Sequence, residues 1–533
     1  MFKRANHTWT ITTCLILYIC LQSYCIHQLS INYDEGSFAN YGVTLLKLQR
    51  EKDIYKFESK LPITALNMVP RAIEQLLHPG LSKSDNEQDI IMGRYVSLIA
   101  AILLALIIYQ WTNRLYGKKA ALYSFIVFLL CPNFLAHGIF VSSDIFACLF
   151  MAGAFYFLWE FSQTRKMKYF VFLSLSTGLA EISKFSMVHL MVLIPLLFLA
   201  DTLFQKRTGR NQKHGLKQII LLLIIFVGLN WFVISAAHLF YDMFVPLNDY
   251  KFDSVPFQKI QSLLRPIGNY LFVPLPSSYI KSMDAVVYFD QLGGVAGGLN
   301  GPPYLLGKNQ AHGFWYYYFV VLFYKLPLPT LLLLLITTLL YIKKFDWKRF
   351  VLYEMYLIIP SLYFLIYMNF FYSTQVGIRH VLIIMPLLYI FSGFFIQQLQ
   401  GSRKIYFGYL LILYQLISIA FYFPHFLPYT NELITNKKLA YRKIADTNLC
   451  YGEGKKFLRQ YLGKNKDAKF QPDSIEAGKI IIEVNEILNL NVNTIGKYDW
   501  IRPFEPANHI HSQYLIYEIS NQLADSLKKM YYQ

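Results

Sequence analysis

The chain is short of charge: Asp, Glu, Lys and Arg are 15% of its 533 residues, against 55% hydrophobic. That balance excludes the soluble enzyme classes and predicts a polytopic membrane protein. Cysteine is scarce too. The six, Cys14, Cys20, Cys25, Cys131, Cys148 and Cys450, form no CxxC pair and no His/Cys cluster. A disulfide framework or zinc knuckle is therefore not expected, and these side chains read as small buried apolar groups. HExxH, GxSxG and the dinucleotide glycine fingerprint are all missing. The glycine-rich run Gly293–Gly301 is not followed by Lys-Ser/Thr, so it is a flexible loop and not a phosphate cradle. No Ala-x-Ala site follows the first apolar run, residues 8–29, which is also too long for a signal core.

What is present is a succession of apolar runs with basic residues between them. Net charge is +18, and most Lys and Arg fall in short loops, where topology and anionic headgroups explain them better than nucleic acid does. Aromatics reach 17%, as expected of residues at a membrane–water boundary. Counting runs of about 20 residues predicts eleven spans. They fall near 8–29, 93–111, 120–137, 144–164, 169–182, 187–204, 218–240, 319–342, 350–370, 381–396 and 406–423. The Lys and Arg pattern puts the N-terminus inside and the turns 138–143, 183–186 and 372–380 outside. Long outer loops are expected over 30–92 and 241–313, within a membrane domain of residues 1–423. Residues 424–533 change character, with strand-like Lys479–Val484 and Tyr514–Ile519, and read as a small outer α/β domain.

All the candidate polar groups fall on the outer side. Asp34 and Glu35 follow the first span, Lys60 lies in the same loop, and Asp144 opens the fourth span. Lys184 caps a turn, and Arg379 and His380 open the tenth span. Each alone reads as a capping or snorkelling residue, Asp144 after Ser142-Ser143 above all. Together they point to a site, because ionisable groups at the edge of hydrocarbon are costly to keep. The chemistry that needs these parts is glycosyl transfer from a polyprenyl-phosphate sugar. Asp34 would be the base with Glu35 as its support, and Asp144 would orient the site or the acceptor. Lys60, Arg379 with its neighbour His380, and as a third choice Lys325, would meet the lipid phosphate. No dedicated metal site is expected, although Asp34, Glu35 and Asp144 could share a divalent cation. A transporter or flippase of lipid-linked sugars is the alternative. It would place polar residues in the middle of several spans.

These residues resemble a known family. The chain is similar to membrane glycosyltransferases of fold type C, in the dolichyl-phosphate-mannose–protein mannosyltransferase superfamily (family 39-like) and its bacterial phospholipid-carrier-dependent branch. Asp34-Glu35 resembles the family's first-loop acidic motif, whose first carboxylate is the base. Glu58-Ser59-Lys60-Leu61-Pro62 resembles the Lys-Pro element by which lipid A aminoarabinose transferases hold a lipid phosphate. Asp144 stands where that group has a second acid. Tyr304–Gly307, Gly313–Tyr317, Lys325-Leu326-Pro327-Leu328-Pro329, Gly377-Ile378-Arg379-His380, Tyr422–Leu433 and Trp500–Pro506 resemble signatures of the bacterial branch. The family's Asp-Ser-Asn-Leu-Asp-Trp-Gly-Gln is here Asp446-Thr447-Asn448-Leu449-Cys450-Tyr451-Gly452-Glu453, without the Asp-Trp pair. The resemblance implies an inverting hexosyl- or mannosyltransferase of the bacterial plasma membrane, with its site outside. The donor would be a polyprenyl-phosphate sugar and the acceptor a protein, lipid A or an envelope glycan.

Overall fold

The computed structural model describes residues 2–49, 61–78, 86–208, 216–293, 301–399 and 402–532. Lys60 and the glycine-rich stretch 294–300 lie outside the described residues. Apolar runs became helices, as their composition requires. Among the described residues, six helices are long and apolar enough to cross a membrane, or seven if one bent pair is a single span. They are His7–Gln28, Glu87–Tyr116, Asp144–Thr164, Phe185–Phe204, Lys217–Ala237 and Trp347–Phe370. Asp144–Thr164 is the hub, with 89% of its apolar window buried, against 28% for Lys217–Ala237. Ala147, Ala152, Gly153 and Ala154 supply the small surfaces that let neighbours come close to it. Peripheral helices show Val192, Leu196, Leu199 and Leu203, or Leu332, Leu335, Leu339 and Ile342, as exposed apolar stripes. Those stripes fit lipid.

Among the described residues, fewer than the eleven expected runs form single helices of spanning length, because several runs are broken or short. The run at 120–137 breaks at Cys131 before Pro132, into Lys118–Leu129 and Pro132–His137. The helix Lys118–Leu129 is about 18 Å long at 1.5 Å per residue, well short of a hydrocarbon core of about 30 Å. Gln415 Nε2 satisfies carbonyls freed at the break, those of Val127 at 3.1 Å and Leu130 at 2.9 Å. The expected eighth span is bent by 117° between Tyr317–Lys325 and Leu328–Lys343. Pro327 cannot donate and fixes its φ, so the helix stops there. Asn431 donates from Nδ2 to Phe323 O (2.6 Å) and Leu326 O (2.9 Å), covering the carbonyls left open. Met167–Glu181, Leu382–Gln398 and Tyr406–Ala420 are apolar but shorter.

The C-terminal segment carries a four-stranded sheet in the order Lys469–Phe470, Gly478–Glu483, Tyr514–Ile519, Asn508–Ile510. The two expected strands pair antiparallel, with Ile481 opposite Ile516. Alternate residues of these strands pack on Leu458 of the helix Lys455–Lys464. This α/β unit is clasped to the first helix by Glu453, whose carbonyl accepts from Ser30 N at 2.8 Å. The Glu453 carboxylate accepts from Tyr451 N at 2.9 Å, from Gln513 Nε2 and from His425 Nε2 at 2.5 Å.

The other clasp is Glu35, and here the sequence expectation is corrected. Glu35 does not support Asp34 from within the site. It is wholly buried in a two-pronged pair with Arg94, Nε–Oε1 2.8 Å and NH2–Oε2 2.6 Å. It also accepts from Val141 N and Asn32 N, each at 2.9 Å. Arg94 donates to the carbonyls of Ile26, Leu29 and Ser30. The pair therefore ties the end of the first helix to the helix Asn86–Tyr116 and to the turn before Asp144. Breaking such a pair strands a buried charge at a cost of about 3–5 kcal/mol. Arg94→Met should lower the thermal unfolding midpoint of the detergent-solubilised chain by many degrees, and adding Glu35→Leu should recover part of the loss. An unchanged midpoint in Arg94→Met would remove this role.

Candidate active site

Asn32, not Asp34, caps the helix Glu35–Leu46: its Oδ1 accepts from Asp34 N (3.0 Å) and Glu35 N (2.9 Å). The Asp34 carboxylate is thereby left for another use. It lies on a cavity of about 970 Å³ between the helical body and the C-terminal unit. Arg379 NH1 reaches Asp34 Oδ2 at 3.1 Å, and the Tyr451 hydroxyl donates to the same oxygen. Arg379 turns its Nε to Asp144 Oδ2 at 3.1 Å, and Lys184 Nζ meets Asp144 Oδ1 at 2.9 Å. Two carboxylates and two cations thus form one neutral chain, Asp34–Arg379–Asp144–Lys184. Exposure separates their roles. Asp34 is 42% exposed at its side chain, Arg379 12% and Asp144 only 2%. Asp34 and Arg379 line the cavity, whereas Asp144 lies behind them against Arg379 and Lys184.

The Arg379 turn is built for its position. Gly377 sits at φ +79°, and a Cβ there would come within 2.3 Å of Thr447 Oγ1. Gly377 N donates to Tyr317 OH (3.0 Å) and Ile378 N to Asn448 Oδ1 (3.0 Å). Asp290 Oδ1 holds the same loop through Ser373 N (2.7 Å) and Thr374 N (2.8 Å). Burial alone would lower the Arg379 pKa, but Asp144, Tyr451 and Asp34 hold it well above its ordinary value, so it stays charged. Burial lifts the Tyr451 phenol well above its usual range. Arg379 pulls the other way and Asp34 adds to the rise, so Tyr451 remains a donor. Its ring also lies 5.0 Å from the Arg379 guanidinium carbon.

The sequence-predicted residues divide as follows. Asp34, Asp144 and Arg379 come together, with Lys184 behind them. His380 lines the cavity, but burial together with Lys184 and Arg379 holds its pKa well below the ordinary value. Its ring packs against Tyr372, with centroids 5.3 Å apart. Lys325 is not in the cavity wall: it is buried, and its Nζ donates to Leu427 O (2.6 Å) and Asn448 O (2.8 Å), pinning the 445–451 segment. Lys60 lies outside the described residues. With Glu35 turned to Arg94, the three acids do not converge. Among the described residues no group of three or more His, Cys, Asp or Glu is placed to hold a metal ion.

The sequence reading missed Tyr451, Tyr33 and Asp446, which also line the cavity. The signal for two of them was present: Asp446-Thr447-Asn448 and Gly452 keep the family's spacing, and Tyr451 stands where the family has Trp. Asp446 sits at φ +59°, a conformation that Asp and Asn tolerate better than most. Burial pushes its carboxyl up to about 6, partly offset by the Thr447 N–H and Arg379. A raised acid favours folding as it takes up its proton. The charged Asp446 thus costs stability above pH 6, and that cost disappears as pH falls through 6 towards its unfolded value of about 4. Asp446→Asn should therefore raise the unfolding midpoint above pH 6 and have little effect near pH 4. A stabilisation independent of pH would refute this assignment.

Comparison with solved structures gives fold likenesses at low identity. ArnT from Cupriavidus metallidurans aligns in its apo state and bound to undecaprenyl phosphate, each with TM-score 0.47 and 13% identity over 81% of this chain. AglB from Archaeoglobus fulgidus, in complex with an inhibitory peptide and a dolichol-phosphate, aligns with TM-score 0.47 and 12% identity over 87% of this chain. The chain spans 64%, 65% and 60% of the length of those three chains, under two thirds in each case. No curated protein matches the chain. The family model described as dolichyl-phosphate-mannose-protein mannosyltransferase matches residues 86–231, the segment that carries Arg94, Asp144 and Lys184, and over that segment the expected likeness to this superfamily holds.

Proposed function

We propose that the chain is a membrane glycosyltransferase that moves a hexose from a polyprenyl-phosphate sugar to an acceptor hydroxyl with inversion. The observation that carries this reading is Asp34, a partly exposed carboxylate on a large cavity, held through one oxygen by Arg379 and Tyr451. Oδ2 takes both contacts, which leaves Oδ1 for a proton. Asp34 accepts the acceptor's hydroxyl proton, and the oxygen forms its bond to the anomeric carbon. The bond from that carbon to the phosphate oxygen breaks, and polyprenyl phosphate leaves with the electron pair. The family match at residues 86–231 supports a lipid-phosphate sugar as the donor class.

Because the four-residue chain is neutral, an arriving phosphate competes with Asp34 for Arg379. Transfer of Arg379 from carboxylate to phosphate loosens Asp34 and strengthens it as a base, so donor binding itself arms the site. Asp144 and Lys184 keep Arg379 in place during that exchange. Lys60 is a further cation for the phosphate. We place this chemistry on the outer face of a bacterial plasma membrane, with the C-terminal unit outside. The proposed polar groups gather in turns at one end of the helices, which favours an enzyme over a carrier whose site lies at mid-span.

Asp34→Asn should abolish transfer from a radiolabelled polyprenyl-phosphate hexose while expression and unfolding midpoint hold. Undiminished turnover would end the assignment of Asp34 as base. Arg379→Lys keeps the charge but cannot bridge both carboxylates, and should cost about 100-fold or more in kcat/KM. Loss of activity no greater than twofold would remove Arg379 from the mechanism.

A further inference from the structure

Asp34 is preceded by Tyr33, a residue 51% exposed although its side chain is held from several directions. Its hydroxyl donates to Glu483 Oε1 at 2.7 Å, and Glu483 is itself buried. Its backbone N–H donates to Tyr451 O at 3.0 Å. Gly452, at φ +87°, packs so closely that a Cβ there would stand 2.9 Å from Tyr33 Cε1. Lys455 Nζ lies over the ring at 4.7 Å from its centroid. An exposed aromatic usually gains nothing from being immobilised, since water serves it equally well in any rotamer. Here three separate segments, 451–452, 455 and 483, fix the ring in the cavity wall next to the proposed base.

A fixed aromatic ring in a cavity wall, here overlain by the displaceable Lys455 ammonium, is what a pyranose needs. The C–H face of the sugar is weakly positive and apolar, and it sits on the negative face of a π ring. The hydroxyls at the sugar's rim then need polar partners. Lys455 is one, on a flexible stem that can move from the ring to a hydroxyl. Asn485 is a second: it lines the cavity, and its Oδ1 is buried with no hydrogen-bond partner. A peptide acceptor finds less here. The cavity-lining strand Lys469–Phe470 is only two residues long, too short an edge for strand addition.

We infer that Tyr33 is the platform of an acceptor subsite and that the acceptor is a glycan, its sugar ring stacked on Tyr33 and its reacting hydroxyl directed at Asp34. This rests on the transferase reading above. The glycan O–H passes its proton to Asp34, its oxygen bonds to the donor's anomeric carbon, and the phosphate oxygen departs with the electrons of the broken bond.

The test uses the full chain in lipid nanodiscs with a polyprenyl-phosphate hexose donor. One acceptor set is soluble oligosaccharides of gluco-, galacto- and mannopyranose. A second is the same oligosaccharides on a lipid anchor, and a third is a Ser/Thr peptide library. Products are read by mass spectrometry. The wild type should glycosylate an oligosaccharide, and the arm that reacts, soluble or anchored, identifies the source of the glycan. With that acceptor, Tyr33→Ala should raise KM at least tenfold and change kcat less than threefold, while Tyr33→Phe, which keeps the ring, should stay within twofold on both. Transfer to peptides alone, or one KM shared by wild type and Tyr33→Ala, overturns the platform while leaving the transferase standing. A wild type that releases no polyprenyl phosphate with any acceptor overturns the transferase reading itself.

Discussion

Arg379 is the constraint from which the site follows. One guanidinium holds two carboxylates that lie 110 residues apart in the chain, Asp34 by NH1 and Asp144 by Nε, each at 3.1 Å. A buried cation of this kind is tolerable only when fully paired. The pairing forces the loop after the first helix, the head of the hub helix and the turn at 377–380 to meet at one place. Lys184 balances the second carboxylate, so the cluster is neutral as it stands. Neutrality is also what would make it responsive under the proposed mechanism: an anion that engages Arg379 competes with its two carboxylate partners, and Asp34 is the more exposed of them.

Around this cluster the fold supplies rigidity in layers. Glu35–Arg94 locks the backbone that carries Asp34, and Lys325 ties Asn448 O, in the segment that carries Tyr451, to Leu427 O. Glu453 fastens the C-terminal unit to the end of the first helix. The cavity is thus walled on one side by helix ends and on the other by a small sheet and its helix. The helix ends bring Asp34, Arg379 and His380 to it, and the C-terminal wall brings Lys455, Glu483 and Asn485.

The convergence of Asp34, Asp144, Lys184 and Arg379 was legible in the sequence. Each opens or closes an apolar run, and the Lys and Arg pattern put all four on one side. The two strands were legible too, as short apolar runs rich in Ile and Tyr. The roles of Glu35 and Lys325 were not. Two adjacent carboxylates look alike in sequence, and which one is buried depends on Arg94, 59 residues further on. Lys325 stands beside Pro327, which was read as the continuation of a span when it is the point where the helix turns by 117°. Tyr451 was signalled only by its place in the motif. It belongs to a loop without periodicity, and its backbone contacts with Tyr33 N and the Glu453 carboxylate help bring it to Asp34.

The most direct measurement of the central claim is a structure of the chain with a non-cleavable polyprenyl-phosphonate hexose bound. The account predicts the phosphonate within hydrogen-bond distance of Arg379, the Arg379–Asp34 contact lengthened, and Asp34 Oδ1 facing the anomeric carbon from the side opposite the phosphonate. A phosphonate seated away from Arg379, with the Asp34–Arg379 pair unchanged, would contradict it.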